Sequence, residues 1–269
     1  MKKISIVTPS FNGAKFLERC IQSVKNQTYQ NFEHIIIDGG SGDDTLSILK
    51  KYENQYNMRW ISEKDEGMYD AIRKGFSLAD GEIFAWLNTD DIYMPWTLQV
   101  IASVFEDEKY QWCTASQSAY VTENDSFYFR TRTVGPKSYS QKNIAKGYHD
   151  GRILPYIQQE STFWTRDLWK KSGGLQTKYR LAGDYHLWKT FANYEPLYTL
   201  NTILAAFRIR KGQLSSDSNA YTNELPKLSL KGKLLQKTHL LFLYSNILHP
   251  YHDKLIQIEG IVNGNYKEE

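Results

Sequence analysis

The sequence predicts an α/β protein, a mostly parallel central sheet flanked by helices, with a helical C-terminal extension. Three observations predict it. Over the first hundred residues, short β-rich apolar runs alternate with segments of helical periodicity. The apolar runs end abruptly in polar or glycine-rich clusters, as strands do where they deliver loops to one edge of a parallel sheet. The final fifty residues read as helical and are rich in lysine and leucine.

In chain order, Ile4 to Thr8 reads as the first strand, and Phe16, Leu17, Cys20, Ile21 and Val24 follow at helical spacing, which makes Cys20 a core residue. A second strand, Phe32 to Ile37, runs into Asp38-Gly39-Gly40-Ser41-Gly42, and the next helix begins near Asp43 and Asp44. Met58 to Ile61 is a third strand, residues 68 to 79 a helix, and Glu82 to Leu87 a fourth strand that delivers Asn88 to Asp91. Beyond residue 110 come aromatic-rich strands at Trp112 to Val121 and Phe127 to Val134, then a polar loop from Gly135 to Arg152. A further strand and helix bracket "QQESTFWTRDLWKKSGG", "AGDYHLWKTFA" reads as a short helix entered through Gly183 and Asp184, and Leu197 to Ile209 is extended. This divides the chain into residues 1–215, with halves of about 1–110 and about 111–215, and a helical extension over 216–269.

Composition narrows the class. With 41% hydrophobic and 23% charged residues the chain is neither disordered nor a membrane-embedded bundle. A net charge of +3 is too small to imply nucleic acid without a concentrated basic patch, but it leaves room for a small anionic ligand. Cys20 and Cys113 form no metal or redox pattern, so reducing cytoplasm is the expected compartment. The apolar run after Met1-Lys2-Lys3 stops at Val7, too short for a signal peptide, and the longest apolar block, Leu240 to Tyr244, is far from the ~20 residues of a membrane span.

Several residues have two readings. Asp90 and Asp91 suit a turn, since Pro95 announces a helix start; a carboxylate pair at a strand mouth also suits a hard divalent cation bridged to phosphates. Asp38 before its glycines is either a sharp turn or a carboxylate able to accept from a base or sugar hydroxyl. Asp184 is an N-cap or a general base, with His186 as the rival base. Arg208, Arg210 and Lys211, beside Gly212, form a solvated basic loop or a clamp on phosphate.

The ordered series "IVTPSFN", "IIIDGGSGDDT", "SEKDEGMYDAIRKG", "WLNTDD", "QQESTFW", "AGDYHLW" and "FRIRKGQLS" resembles the inverting family 2 glycosyltransferases of GT-A fold, over roughly residues 3 to 215. The resemblance implies that Thr8, Pro9 and Ser10 line a nucleotide pocket, that Asp38 contacts the base, most often uracil, and that Asp65 lies at the nucleotide with Asp70 near the donor sugar. Asn88-Thr89-Asp90 stands where many relatives carry Asp-x-Asp, which leaves Asp90 the main ligand of Mg²⁺ or Mn²⁺ and Asp91 the second. Arg73 occupies a position that is often Asn. Asp184 matches the catalytic base, Glu160 and Ser161 border the acceptor, and Arg208, Arg210 and Lys211 close the donor side.

The implied reaction is transfer of a sugar from a nucleotide-sugar, a UDP-sugar first of all, to a hydroxyl of a glycan or lipid-linked saccharide in cell-surface polysaccharide biosynthesis. The competing readings are a sugar nucleotidyltransferase, for which "TPSFNGAKF" lacks a basic glycine-rich phosphate loop, and a non-catalytic glycan-binding module, for which the 14% aromatic content offers stacking surfaces. Lys227, Lys231, Lys233 and Lys237, interleaved with leucines, fit either a helix packed on the domain or one lying on an anionic membrane surface.

Overall fold

A computed structural model describes residues 1–134, 139–213, 217–238 and 255–256. Its first half is built from β1 (Ile4–Ser10), α1 (Ala14–Lys25), β2 (Phe32–Asp38), α2 (Thr45–Tyr52), β3 (Met58–Ser62), α3 (Met68–Leu78) and β4 (Ile83–Trp86). These four strands are parallel in the order β4-β1-β2-β3. Every residue of β1, β2 and β4 is buried, as expected of strands covered on both faces.

Then follow β5 (Ile92–Tyr93), α4 (Thr97–Val104), β6 (Trp112–Thr122), β7 (Phe127–Val134), α5 (Gln141–Ala145), a 3₁₀ turn (Gln159–Ser161), β8 (Thr162–Thr165), α6 (Arg166–Ser172), α7 (Gly183–Phe191) and β9 (Tyr198–Ile209). The described C-terminal elements are α8 (Ser218–Asn223), α9 (Leu230–Thr238) and β10 (Leu255–Ile256). All the strands form one sheet, ordered β10-β9-β6-β8-β4-β1-β2-β3, with β5 on β9 and β7 on β6.

One feature of this topology positions the site. β8 is antiparallel to both β4 and β6, so its start, and the 3₁₀ turn before it, lie at the edge where β1, β2, β3 and β4 end, and β6 runs on past that level. β9 runs parallel to β6 and therefore brings Arg208 and Arg210 to that edge too. On one face of the sheet a cluster including Val7, Ile72, Phe76, Trp112, Trp164, Trp188 and Phe191 holds α3, α6 and α7; on the other, Ile4, Cys20, Val24, Leu98 and Ile101 hold α1 and α4. Gly75 of α3 packs so closely on β1 that a methyl group there would overlap the Val7 side chain.

Two sequence expectations need adjustment. The polar stretch 135–152 contains a helix, α5, capped by Ser140, whose hydroxyl accepts from the Asn143 amide. The C-terminal extension is helical in α8 and α9 but returns to the sheet as β10, paired parallel with β9. The leucine-rich block at 240–244 and the end of the basic loop at 214–216 lie outside the described residues.

Candidate active site

The three polar clusters at the strand ends meet and are sewn together. Asn12, in the left-handed region at φ 49°, donates its amide to Ser41 Oγ at 2.7 Å and accepts from the Gly42 amide at 2.9 Å. Asp43 accepts from the Ala14 amide at 3.1 Å, and so holds the start of α1. Thr89 Oγ1 donates to the Pro9 carbonyl at 2.6 Å, and a Cβ on Gly13 would stand 2.6 Å from the Thr89 methyl. A Cβ on Gly39 would likewise stand 2.7 Å from Asp65 Oδ2, so glycine lets the β2 and β3 loops close on each other.

Several of the residues singled out in the sequence turn inward. Thr8 is fully buried with its hydroxyl 2.9 Å from His34 Nε2, and Pro9 and Ser10 are also buried, Ser10 Oγ without a hydrogen-bond partner. Asp38 is fully buried, and its Oδ2 accepts from the Gly40 amide (3.1 Å), the Ser41 amide (3.0 Å) and Ser62 Oγ (2.7 Å). Its carboxylate therefore shapes its own loop. Asp65 and Asp70 are partly exposed; Asp65 accepts from the Gly67 amide, and Asp70 from the Glu66 amide and Lys74. Arg73 is exposed on α3.

The acidic segment after β4 divides sharply. Asn88 is spent on structure: Oδ1 accepts from Trp86 Nε1 at 2.7 Å, and Nδ2 donates to Gln159 Oε1 at 3.0 Å and to Asp91 Oδ2 at 3.3 Å. Gln159 also donates to the Trp86 carbonyl, which ties the 3₁₀ turn to β4. Asp91 is 1% exposed, and its Oδ1 accepts the Arg208 amide at 2.9 Å. Asp90 is the member that faces outward, one oxygen receiving Arg210 Nε at 2.6 Å. Arg208 is buried, donating to the Asp90 carbonyl at 2.8 Å and the Thr122 carbonyl at 2.6 Å, and pairing with Asp125 at 2.8 Å. Both guanidinium groups lie over the Phe16 ring, at 4.8 and 5.6 Å from its centroid. Lys211 is exposed.

Asp184 is not the cap of α7; Ala182 occupies that position, and Asp184 lies in the first turn. The helix start is set by Tyr69, whose hydroxyl donates to the Leu181 carbonyl (2.7 Å) and accepts from the Gly183 amide (2.9 Å), with Gly183 packed against the Tyr69 ring. Burial raises the Asp184 pKa to about 6, against the pull of backbone amides and the Tyr221 hydroxyl. Burial, with the charge of Asp184 added, raises Glu160 to about 7. Asp91 is pushed well above the usual carboxylate range by burial and then by the charges of Asp90 and Glu160. Asp91 feels the charge of Glu160 and Glu160 that of Asp184, while Asn88 bonds both Asp91 and Gln159, so acids from three segments lie near one another. His186 is stacked on Tyr179, with centroids 3.7 Å apart, and burial lowers its pKa.

Among the described residues no three His, Cys, Asp or Glu side chains are arranged as a complete metal cage. Two features still fit a hard cation shared with a ligand: Asp90 is an outward carboxylate with one oxygen on Arg210, and Glu160 Oε1 is buried without a partner.

Residues 5–168 match the family described as Glycosyl transferase family 2. The chain belongs to that family. It is 31% identical over 233 residues to an uncharacterized glycosyltransferase of Nostoc sp., covering 86% of this chain and 72% of the relative. It is 25% identical to the chondroitin synthase of Escherichia coli over 74% of this chain and 28% of that one. In structure the glycosyltransferase resembles S. aureus TarS in complex with UDP-GlcNAc (TM-score 0.62, 16% identity, 93% of this chain and 69% of TarS 1-349). It also resembles the mannosyltransferase PcManGT of Pyrobaculum calidifontis in complex with GDP-Man and Mn²⁺ (TM-score 0.63, 17% identity, 91% and 71%). The fold is therefore GT-A, and of the three readings open in the sequence the glycosyltransferase stands.

Tyr69, Gln159, Tyr221 and Glu224 were not legible as site residues. Gln159 adjoins the quoted Glu160, but nothing in the sequence places Tyr221 or Glu224 beside Asp184, some 40 residues earlier.

Proposed function

We propose that this glycosyltransferase moves a sugar from a nucleotide-sugar, a UDP-sugar first of all, to a hydroxyl of a saccharide or lipid-linked saccharide, inverting the anomeric centre. The observation that carries the reading is the set of acids at the sheet edge: Asp90 faces outward, Asn88 bonds both Asp91 and Gln159, the neighbour of Glu160, and burial raises the Asp184 pKa to about 6. A carboxylate poised near neutrality is suited to general-base work, being mostly ionised at pH 7 yet basic enough to accept a proton.

Asp184 takes the proton of the acceptor hydroxyl. The oxygen attacks the anomeric carbon, the bond from that carbon to the diphosphate oxygen breaks, and its electron pair leaves with the nucleoside diphosphate. Asp90 is the residue to hold Mg²⁺ or Mn²⁺ against the diphosphate; when bound, the cation offsets the charge growing on the leaving group. Arg210, paired with Asp90, adds a second positive group, and the amino ends of α1, α2 and α3 face the same edge. Asp38 holds the β2 loop in shape while Asp65 and Asp70 line it. Asn88, Asp91 and Arg208 brace the turn that presents Asp90. UDP-GlcNAc on TarS and GDP-Man with Mn²⁺ on PcManGT support a nucleotide-sugar donor.

Peripheral membrane contact at the cytoplasmic face belongs to the same proposal. No helix among the described residues is long and apolar enough to cross a membrane, while α9 exposes Leu230 and Leu234 beside Lys231, Lys233 and Lys237. Flotation with anionic liposomes at low salt checks it, and absence of binding removes it. For the activity, a panel of nucleotide-sugars is screened for release of nucleoside diphosphate. Release from at least one UDP-sugar is expected; release from none, with and without saccharide acceptors, would count against the reading.

A further inference from the structure

We propose that Tyr221 is a positioning residue for transfer: its hydroxyl holds the Asp184 carboxylate, and the segment Asp217 to Pro226 is built to place it there. The inference rests on the reading of Asp184 as the base. The segment lies beyond residues 5–168, the part that matches the family, yet it is fastened to the active site at several points.

Tyr221 donates to Asp184 Oδ1 at 3.4 Å. That is long for a hydroxyl on a carboxylate, in the range from which catalytic contacts tighten when substrate binds. The ring is set edge-on against Tyr156, centroids 5.5 Å apart at 87°. α8, which carries Tyr221, is capped by Asp217, whose Oδ1 accepts the Ala220 amide at 2.9 Å. Three residues after Tyr221, Glu224 accepts the backbone amides of Arg180 (2.9 Å), Leu181 (3.0 Å) and Ala182 (2.9 Å), the residues that lead into α7. Leu225 is buried against Ala182 and Tyr185, and the Pro226 carbonyl accepts Arg152 Nη2 at 3.0 Å. The Asp217 cap serves α8 itself, while the Glu224, Leu225 and Pro226 contacts tie it to its neighbours. What they fix is the distance between Tyr221 and the first turn of α7.

The chemical consequence follows from the neighbours of Asp184. Glu160 from the 3₁₀ turn and Glu224 from the α8 segment are like charges, while Tyr69 of α3, Tyr156 and Tyr221 surround it with phenols. Burial and Glu224 favour the protonated acid, whereas the Tyr221 hydroxyl and the Asp184 and Tyr185 amides favour the carboxylate. A donor on one oxygen keeps the base ionised and fixes its orientation.

The test uses the full chain carrying Tyr221→Phe, which removes one oxygen and keeps the ring on Tyr156; a thermal melt confirms folding. Asp side chains are ¹³C-labelled at the carboxyl, the Asp184 resonance is assigned by its loss in Asp184→Asn, and its titration is followed by NMR. The Asp184 midpoint is expected to rise by about half a pH unit or more in Tyr221→Phe. The acid limb of nucleoside diphosphate release from the accepted sugar nucleotide should move the same way. An unmoved midpoint overturns the inference, even if activity falls, because packing alone would then explain Tyr221. If Asp184→Asn retains turnover, the base assignment itself fails. If that variant is silent and the Tyr221→Phe midpoint stays put, only the role of Tyr221 fails.

Discussion

Replacing Asp184 by asparagine should cost activity and gain stability at once. The side chain keeps its size and an oxygen for Tyr221, but it can no longer accept a proton. Loss of a general base lowers turnover by about 10²–10⁴-fold. The stability effect has the opposite sign. Burial raises Asp184 from 3.8 to about 6, so the fold binds its proton more tightly than the unfolded chain does. The ionised form is thus a liability that is absent below pH 3.8, grows as pH rises through the window up to about 6, and is constant above it. At ~1.4 kcal/mol for each pH unit the ceiling is about 3 kcal/mol, and the partial solvent contact of Asp184 reduces this to about 1–2 kcal/mol. Urea unfolding at pH 8 and pH 4 measures it: Asp184→Asn should exceed the parent at pH 8 and match it at pH 4. In the parent, turnover should fall as pH drops through about 6. A variant that keeps near-parental turnover would remove Asp184 as the base, and one less stable at pH 8 would contradict its raised pKa.

Further outcomes follow from the same geometry. Asp90→Ala should change stability by less than about 1 kcal/mol, because its pair with Arg210 is part-exposed, whereas Asp91→Ala strands the buried Arg208 amide and should cost about 1–3 kcal/mol; paired urea titrations compare them. Glu160→Gln should stabilise the protein at pH 8 by about 1–3 kcal/mol, with the gain fading as pH falls from about 7 to 4.5, since the raised carboxyl is then protonated in the parent as well. Gly75→Ala should lower stability by about 1–3 kcal/mol despite alanine's better helix propensity, because its methyl group meets Val7; a gain in melting temperature would contradict the close packing of α3 on β1.

β1 and β2 were legible because both of their faces are covered, so Ile4–Val7 and Phe32–Ile37 stand out as short apolar runs interrupted only by Ser5 and by Glu33 and His34. The edge on which the site forms was legible for a topological reason, since loops after parallel strands gather on one side. What the sequence could not resolve is which member of a polar cluster faces outward. Asp90 and Asp91 are chemically identical neighbours, and only the pairing of β5 with β9, which carries Arg208 against the turn, buries one and exposes the other. Asp38 illustrates the same limit, its carboxylate being consumed by amides two and three residues on. α5 was hidden because five residues hold too little periodicity to register. Tyr221 and Glu224 were hidden because their partners lie 37 to 44 residues away, across a contact between α8 and the start of α7 that no local pattern encodes.

In the proposed reaction Asp90 serves a cation shared with a nucleoside diphosphate. Calorimetric titration of UDP with and without Mn²⁺, on the parent and on Asp90→Ala, tests it most directly. UDP binding that strengthens with Mn²⁺ in the parent, and loses that gain in the variant, is the expected result. UDP binding indifferent to Mn²⁺, or an equal gain in both proteins, would contradict it.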